Sequence, residues 1–182
     1  MSRNRRPWVV LFGCFCMGAG FNMYLIAPAS IIPLFAETFD IDKATAGLSI
    51  SAFFLSWGIA NFPGGLIMDR RDNRHLVFGG AVVFAAACVA TAVAQSYTVF
   101  LVARLVGGAT GAFLWTANAN IVSRVFPGSR LALGTSLFVA SGPVGQAIAQ
   151  LFGPVLANAV GWRTLFFVPP ILTVIGVPIL YY

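Results

Sequence analysis

Six long apolar runs, separated by short polar interruptions, make up almost the whole chain. They cover about residues 8–35, 45–68, 76–94, 98–125, 131–156 and 162–182. A helix needs roughly 20 apolar residues to cross a bilayer, and each run is near that length. The pattern predicts an all-α integral membrane protein: one domain, residues 1–182, with six transmembrane helices. Polar residues inside the runs are few. Helix 1 carries Asn22, with Pro28 and Pro33 set to kink its far end. Helix 2 carries Ser49, Ser56, Trp57 and Asn61, and helix 3 is almost purely apolar. Helix 4 carries Arg104, Trp115, Asn118 and Asn120, and helix 5 carries Ser136, Ser141, Gln146 and Gln150.

Composition agrees with lipid as the solvent. Of 182 residues, 59% are hydrophobic and 9% charged, where a soluble domain has about 25% charged. The net charge of +6 is scattered between runs and forms no continuous basic stripe, so nucleic acid is not an expected partner. Lys and Arg fall unevenly about the runs. Arg3, Arg5, Arg6, Arg70, Arg71, Arg74, Arg124 and Arg130 lie on one side, against Lys43 and Arg163 on the other. The excess of basic residues marks the cytoplasmic side. The expectation is a multi-pass protein of the cytoplasmic (inner) membrane with both termini cytoplasmic. The basic start, Ser2 to Arg6, resembles a signal peptide, but the apolar run after it exceeds a signal's core of about 7–15 residues, so it reads as a retained helix. Cys14, Cys16 and Cys88 sit inside apolar runs as packing residues. His75 has no second His with which to build a zinc site, and no metal or cofactor is expected. No Ser–His–Asp set or carboxylate pair lies inside a run, and there is no Gly-rich nucleotide loop with Lys. A hydrolase is therefore disfavoured, and the chain is not expected to be an enzyme.

The interruption between helices 2 and 3, Gly64 to His75, holds five of the sixteen formal charges. Its Gly-x-x-x-Asp-Arg pattern, with Gly65, Asp69, Arg70 and Arg74 in register, resembles the signature loop of the major facilitator superfamily of secondary transporters. Asp72 and Asn73 depart from that pattern. Arg104-x-x-Gly107-Gly108-x-x-Gly111 is similar to the family's helix 4 motif, with Gly111 one place late. Gly161-Trp162-Arg163-x-x-Phe166 is similar to its entry to helix 6. Gly153-Pro154 resembles part of a helix 5 pattern of antiporters, whose further glycines are here Ala157 and Asn158. The resemblance covers the whole chain and half of the family's twelve-helix fold. It implies 3+3 inverted repeats, for which the chain offers some internal support. Gly47, Ser49, Gly58 and Ala60 recur 87 positions later, and Arg74-x-Leu76-x-Phe78 recurs 89 positions later.

Candidate pathway residues follow from both lines of reasoning. Arg104 is the one charge away from the ends of a run and lies about six residues in, roughly 9 Å from the helix end. It either snorkels to the headgroups or faces a polar cavity. Arg104, Gly108, Gly111, Trp115 and Asn118 share one helix face, which looks like a cavity lining. The resemblance associates the helix 4 Arg with proton coupling. Asn22 is a midplane polar group, as are Gln146 and Gln150 on one face of helix 5. Each amide also fits an interhelical hydrogen bond, and Trp115 either stacks on a solute or packs. The loop residues Gly65, Asp69, Arg70 and Arg74 would form a gate latch or a set of solvated helix-end charges.

The reading is secondary active transport of a small-molecule solute by alternating access, coupled to protons. The alternative is a non-transporting membrane scaffold or accessory subunit. One six-helix half offers one wall of a cavity, so a second half is expected as partner. If the chain were complete, that partner would be a second copy in a parallel homodimer. In that arrangement Asn22 and Asn118 would face the partner and Phe84 would face lipid.

Overall fold

The structure is a computed structural model that describes residues 6–68 and 73–180. Among these residues the regular elements are all helical. α1 spans Arg6–Phe39, α2 Lys43–Met68, α3 Asn73–Ala92, α4 Tyr97–Val125, α5 Leu131–Val160 and α6 Val168–Leu180. By length and composition α1, α2, α4 and α5 can cross a membrane, whereas the apolar parts of α3 and α6, Val77–Ala92 and Trp162–Pro178, are shorter. Asp69 and Arg70 of the expected gate loop lie outside the described residues. Gly65 and Arg74 lie within α2 and α3, with side chains that are not described.

Local chemistry explains the helix boundaries. Asp42 caps α2, its Oδ1 accepting the Thr45 N–H at 2.6 Å, and so satisfies one of the first-turn donors that a helix leaves unpaired. Those bonds hold the Asp42 carboxyl below its ordinary value of 3.8. Ser96 caps α4 through the Val99 N–H. α5 ends at Gly161, whose φ of 94° suits a residue without a Cβ. α1 outruns its predicted end at residue 35 because Pro28 and Pro33 bend the helix without ending it. The bend is absorbed at Ile31, with φ −132° and ψ 17°. α6 differs from the expected continuous helix, because Trp162–Phe167 forms a 3₁₀ segment first. The α-helix proper starts at Val168, with Pro169 and Pro170 in its first turn, where a missing N–H does little harm.

α1 is the hub. It packs against α5 and α6 on one side and against α4 and α2 on the other, while α3 packs on α4 and α6. Leu11, Cys14, Met17, Phe21, Tyr24, Ile31 and Phe35 of α1 are all buried. One end of the bundle is an aromatic cluster in which Phe35 stacks on Phe100 at 5.3 Å and Trp162 packs edge-on to Phe100 at 5.9 Å. Polar ties reinforce it. The Trp162 indole N–H donates to Thr38 Oγ1 at 3.0 Å, and Arg163 donates to the Ala94 carbonyl at 2.9 Å, near the end of α3. Phe84, expected to face lipid, is instead fully buried, its ring 5.3 Å from Tyr24 and 6.1 Å from Phe21. The span of α3 around Phe84 is apolar all round, so its composition did not mark which side faced the core.

Candidate functional site

The α1–α4 contact is organised by a missing donor. Pro28 has no N–H, so the Tyr24 carbonyl, four residues earlier, loses its helical partner. Arg104 on α4 supplies one. Its Nη1 donates to the Tyr24 carbonyl, Nη2 donates to the Leu25 carbonyl at 2.8 Å, and Nε donates to the Ser49 carbonyl of α2 at 3.4 Å. The guanidinium carbon also lies 4.5 Å from the ring centres of both Tyr24 and Phe53, where the electron-rich ring faces stabilise a desolvated cation. The side chain is fully buried. Arg104 therefore neither snorkels nor meets solvent; it joins α1, α2 and α4.

The rest of the Arg104 stripe packs in the same way. A Cβ at Gly107 would run into the Tyr24 ring, one at Gly108 into the Phe53 backbone, and one at Gly111 into the Phe21 ring. Trp115 lies 4.7 Å from Phe138 of α5 and 6.1 Å from Phe21, ring centre to ring centre. Asn118 is buried, and its Oδ1 has no hydrogen-bond partner among the described residues.

The α1–α5 contact is different. A Cβ at Gly145 would collide with the Ala19 carbonyl, so the two backbones approach closely, as small residues allow in membrane helix pairs. Asn22 and Gln146 meet across this seam, with Gln146 Nε2 donating to Asn22 Oδ1 at 3.0 Å. Asn22 Nδ2 in turn donates to the Gly18 carbonyl at 2.9 Å. Asn22 is buried, Gln146 half-buried and Gln150 exposed, so the amides run from the bundle interior to its surface. Of the predicted pathway residues, the structure brings together Asn22 and Gln146. Arg104 belongs to a separate cluster.

Two residues were not among the candidates that the sequence singled out. Tyr24 packs its ring on Arg104 and shares a 2.7 Å hydrogen bond with Thr91 of α3; a phenol at mid-span was the available signal. Ser141, noted from the sequence only as a polar member of helix 5, is buried beside Gly18, with an Oγ that has no partner among the described residues.

Comparison with known proteins gives these contacts a family. Multidrug resistance protein MdtG of Proteus mirabilis is 34% identical over 174 residues, which is 92% of this chain and 42% of that protein. A probable sugar efflux transporter of Mannheimia succiniciproducens is 29% identical over 165 residues, 86% of this chain and 38% of that protein. The chain thus spans about two-fifths of the length of these relatives. Among solved structures, the transporter FucP in its outward conformation superposes with a TM-score of 0.81 at 16% identity, over 99% of this chain and 42% of that one. A peptide transporter POT in complex with alafosfalin gives 0.81 at 16% identity, over 97% and 38%. The family profile itself matches residues 8–182. On that match the chain belongs to the Major Facilitator Superfamily.

Proposed function

We propose that this chain forms one six-helix half, built as 3+3 inverted repeats, of a secondary transporter that moves a small solute by alternating access. The observation that carries the reading is the amide path from buried Asn22 through Gln146 to exposed Gln150. Polar groups that emerge on the face of a membrane bundle are unfavourable against lipid. They call for a water-filled cavity, which a second six-helix half would close. Matches to multidrug and sugar efflux proteins support an exported solute. In this reading the pathway comprises Asn22, Gln146 and Gln150, with Trp115 and Asn118 behind them. Arg104 serves it indirectly, by holding the kinked α1 in place. The five acidic residues, Glu37, Asp40, Asp42, Asp69 and Asp72, all flank the apolar runs. A carboxylate within the membrane that couples transport to protons would therefore come from a further segment, since a second copy of this chain carries the same five acids in the same places. Asp69 and Arg70 would latch the two halves, and the termini would be cytoplasmic.

Proteoliposome flux of a fluorescent efflux substrate tests this, with and without an imposed proton gradient. Flux should appear with the gradient and fall at least tenfold in Gln150→Leu at unchanged expression. Gradient-independent leakage, or full flux in the variant, would return the chain to the accessory-subunit reading.

A further inference from the structure

Hydrogen-bond direction along the amide path is fixed from its buried end. The Gly18 carbonyl can only accept, so the side-chain nitrogen of Asn22 must face it. That leaves Asn22 Oδ1 for Gln146, and an acceptor there requires the Gln146 nitrogen to point inward. The oxygen of Gln146, Oε1, is thereby left out of the bond to Asn22, on a half-buried residue. An isolated amide could present either end; this one presents its acceptor.

Two prolines add to the same face. Pro143 has no N–H for the Val139 carbonyl, and Pro154 has none for the Gln150 carbonyl. Val139 and Gln150 are both exposed. Residues 139, 143, 146 and 150 recur at spacings of four, three and four, which places them on one stripe of the helix. In α1 the carbonyl released by Pro28 is taken up by Arg104. In α5 no side chain among the described residues donates to the Val139 or Gln150 carbonyl, and both residues belong to the exposed stripe. The Gln150 amide, free to turn, is the one group there able to donate.

We infer that this stripe of α5 is an acceptor-lined subsite that selects neutral or cationic solutes bearing N–H or O–H donors and disfavours carboxylates and phosphates. The inference rests on the transporter reading above and names its substrate class. The buried cation does not offset this preference, because the Arg104 nitrogens are engaged by backbone carbonyls and its faces are covered by Tyr24 and Phe53. Asn22 is a positioning residue for the subsite, since it fixes which end of Gln146 the solute meets.

The test is saturation-transfer NMR on the purified protein in lipid nanodiscs, with benzylammonium, benzyltrimethylammonium and benzoate as probes. Benzylammonium should bind at least tenfold more tightly than benzoate, and also more tightly than benzyltrimethylammonium, which has the charge without the N–H. Displacement of benzylammonium by inositol would identify a polyol as the class member, and failure to displace it would identify an ammonium. Asn22→Leu releases the Gln146 amide and should bring the benzylammonium-to-benzoate preference toward one. Equal binding of benzoate and benzylammonium, equal binding of the two ammonium probes, or a preference that survives Asn22→Leu would each overturn the subsite. Gln150→Cys separates the two readings. If an impermeant maleimide cannot reach it, the cavity fails and the subsite with it. If it labels while the probes show no preference, only the subsite fails.

Discussion

The α1–α4 and α1–α5 seams use the same helix and solve opposite problems. Against α4, helix α1 offers a broken backbone with bulky rings, and α4 answers with two glycines, Gly107 and Gly111, and a cation that takes up the released carbonyl. Each side-chain nitrogen of Arg104 has a partner inside the bundle. Against α5, helix α1 offers small residues and one amide. The helices meet backbone to backbone at Gly145 and Ala19, and the hydrogen bonding runs outward. The first seam is a closed joint, while the second leads to a surface. A charge within a membrane helix is therefore no guide to where solute passes until its partners are known.

Breaking the closed joint should have the largest effect. Arg104→Leu leaves three carbonyls without their donor, one of them already deprived of its helical N–H by Pro28. Buried acceptors left unpaired cost about 1–3 kcal/mol each. A loss of about 3 kcal/mol is expected, read as a lower midpoint of unfolding in mild detergent. Arg104→Lys supplies one point charge in place of a planar fork and should recover less than half of it. A neutral result for Arg104→Leu would mean that α1 and α4 are held by ring packing alone.

A smaller effect is expected at the open seam. Gly145→Ala forces a methyl against the Ala19 carbonyl, which is backbone and cannot swing away. Overpacking of this kind costs about 1–3 kcal/mol. The Asn22–Gln146 bond should lengthen with it, so the variant should change solute selectivity as well as stability. A change in stability without a change in selectivity would separate the amide path from the packing of the seam.

The smallest effect lies outside both seams. Asp42 holds the first turn of α2 through Thr45 and titrates below its ordinary value of 3.8 because of those bonds. A carboxyl depressed in the folded state stabilises it above the unfolded pKa, and that contribution is lost as pH falls through the folded pKa. Hydrogen exchange at the start of α2 should therefore quicken in Asp42→Ala at neutral pH. The difference from the unaltered protein should close below about pH 3.8. A difference that persists in acid would assign the cap to something other than the carboxylate.

How far the sequence spoke depended on the kind of information each residue carries. Apolar runs broken by charge located the helices, since spanning length is a property of the chain alone. The exceptions were tertiary. α1 continues past residue 35 because its neighbours hold a bent helix together, and Trp162–Phe167 tightens into a 3₁₀ segment under the aromatic cluster. The face containing Arg104, Gly108, Gly111, Trp115 and Asn118 was legible as a stripe. Its destination was not, because glycine beside charge suits a cavity or a close contact equally well. Phe84 was misread for a related reason. In a helix apolar all round, lipid and protein interior attract the same side chains, and periodicity carries no sign of which is which. The Asn22–Gln146 pair was visible only as two amides, since their register depends on how closely glycine lets α1 and α5 approach.

The kink in α1 has a consequence for the order of synthesis. The Tyr24 carbonyl and the arginine that satisfies it are 80 residues apart. At about 5–20 residues per second, α1 exists for roughly 4–16 s before Arg104 has been made. Through that interval a helix whose backbone is open at Pro28 must be kept from lipid by something other than its final neighbours, such as the translocation machinery, retained water, or delayed release into the bilayer. The most deeply enclosed helix of the bundle is thus made before the partners that enclose it.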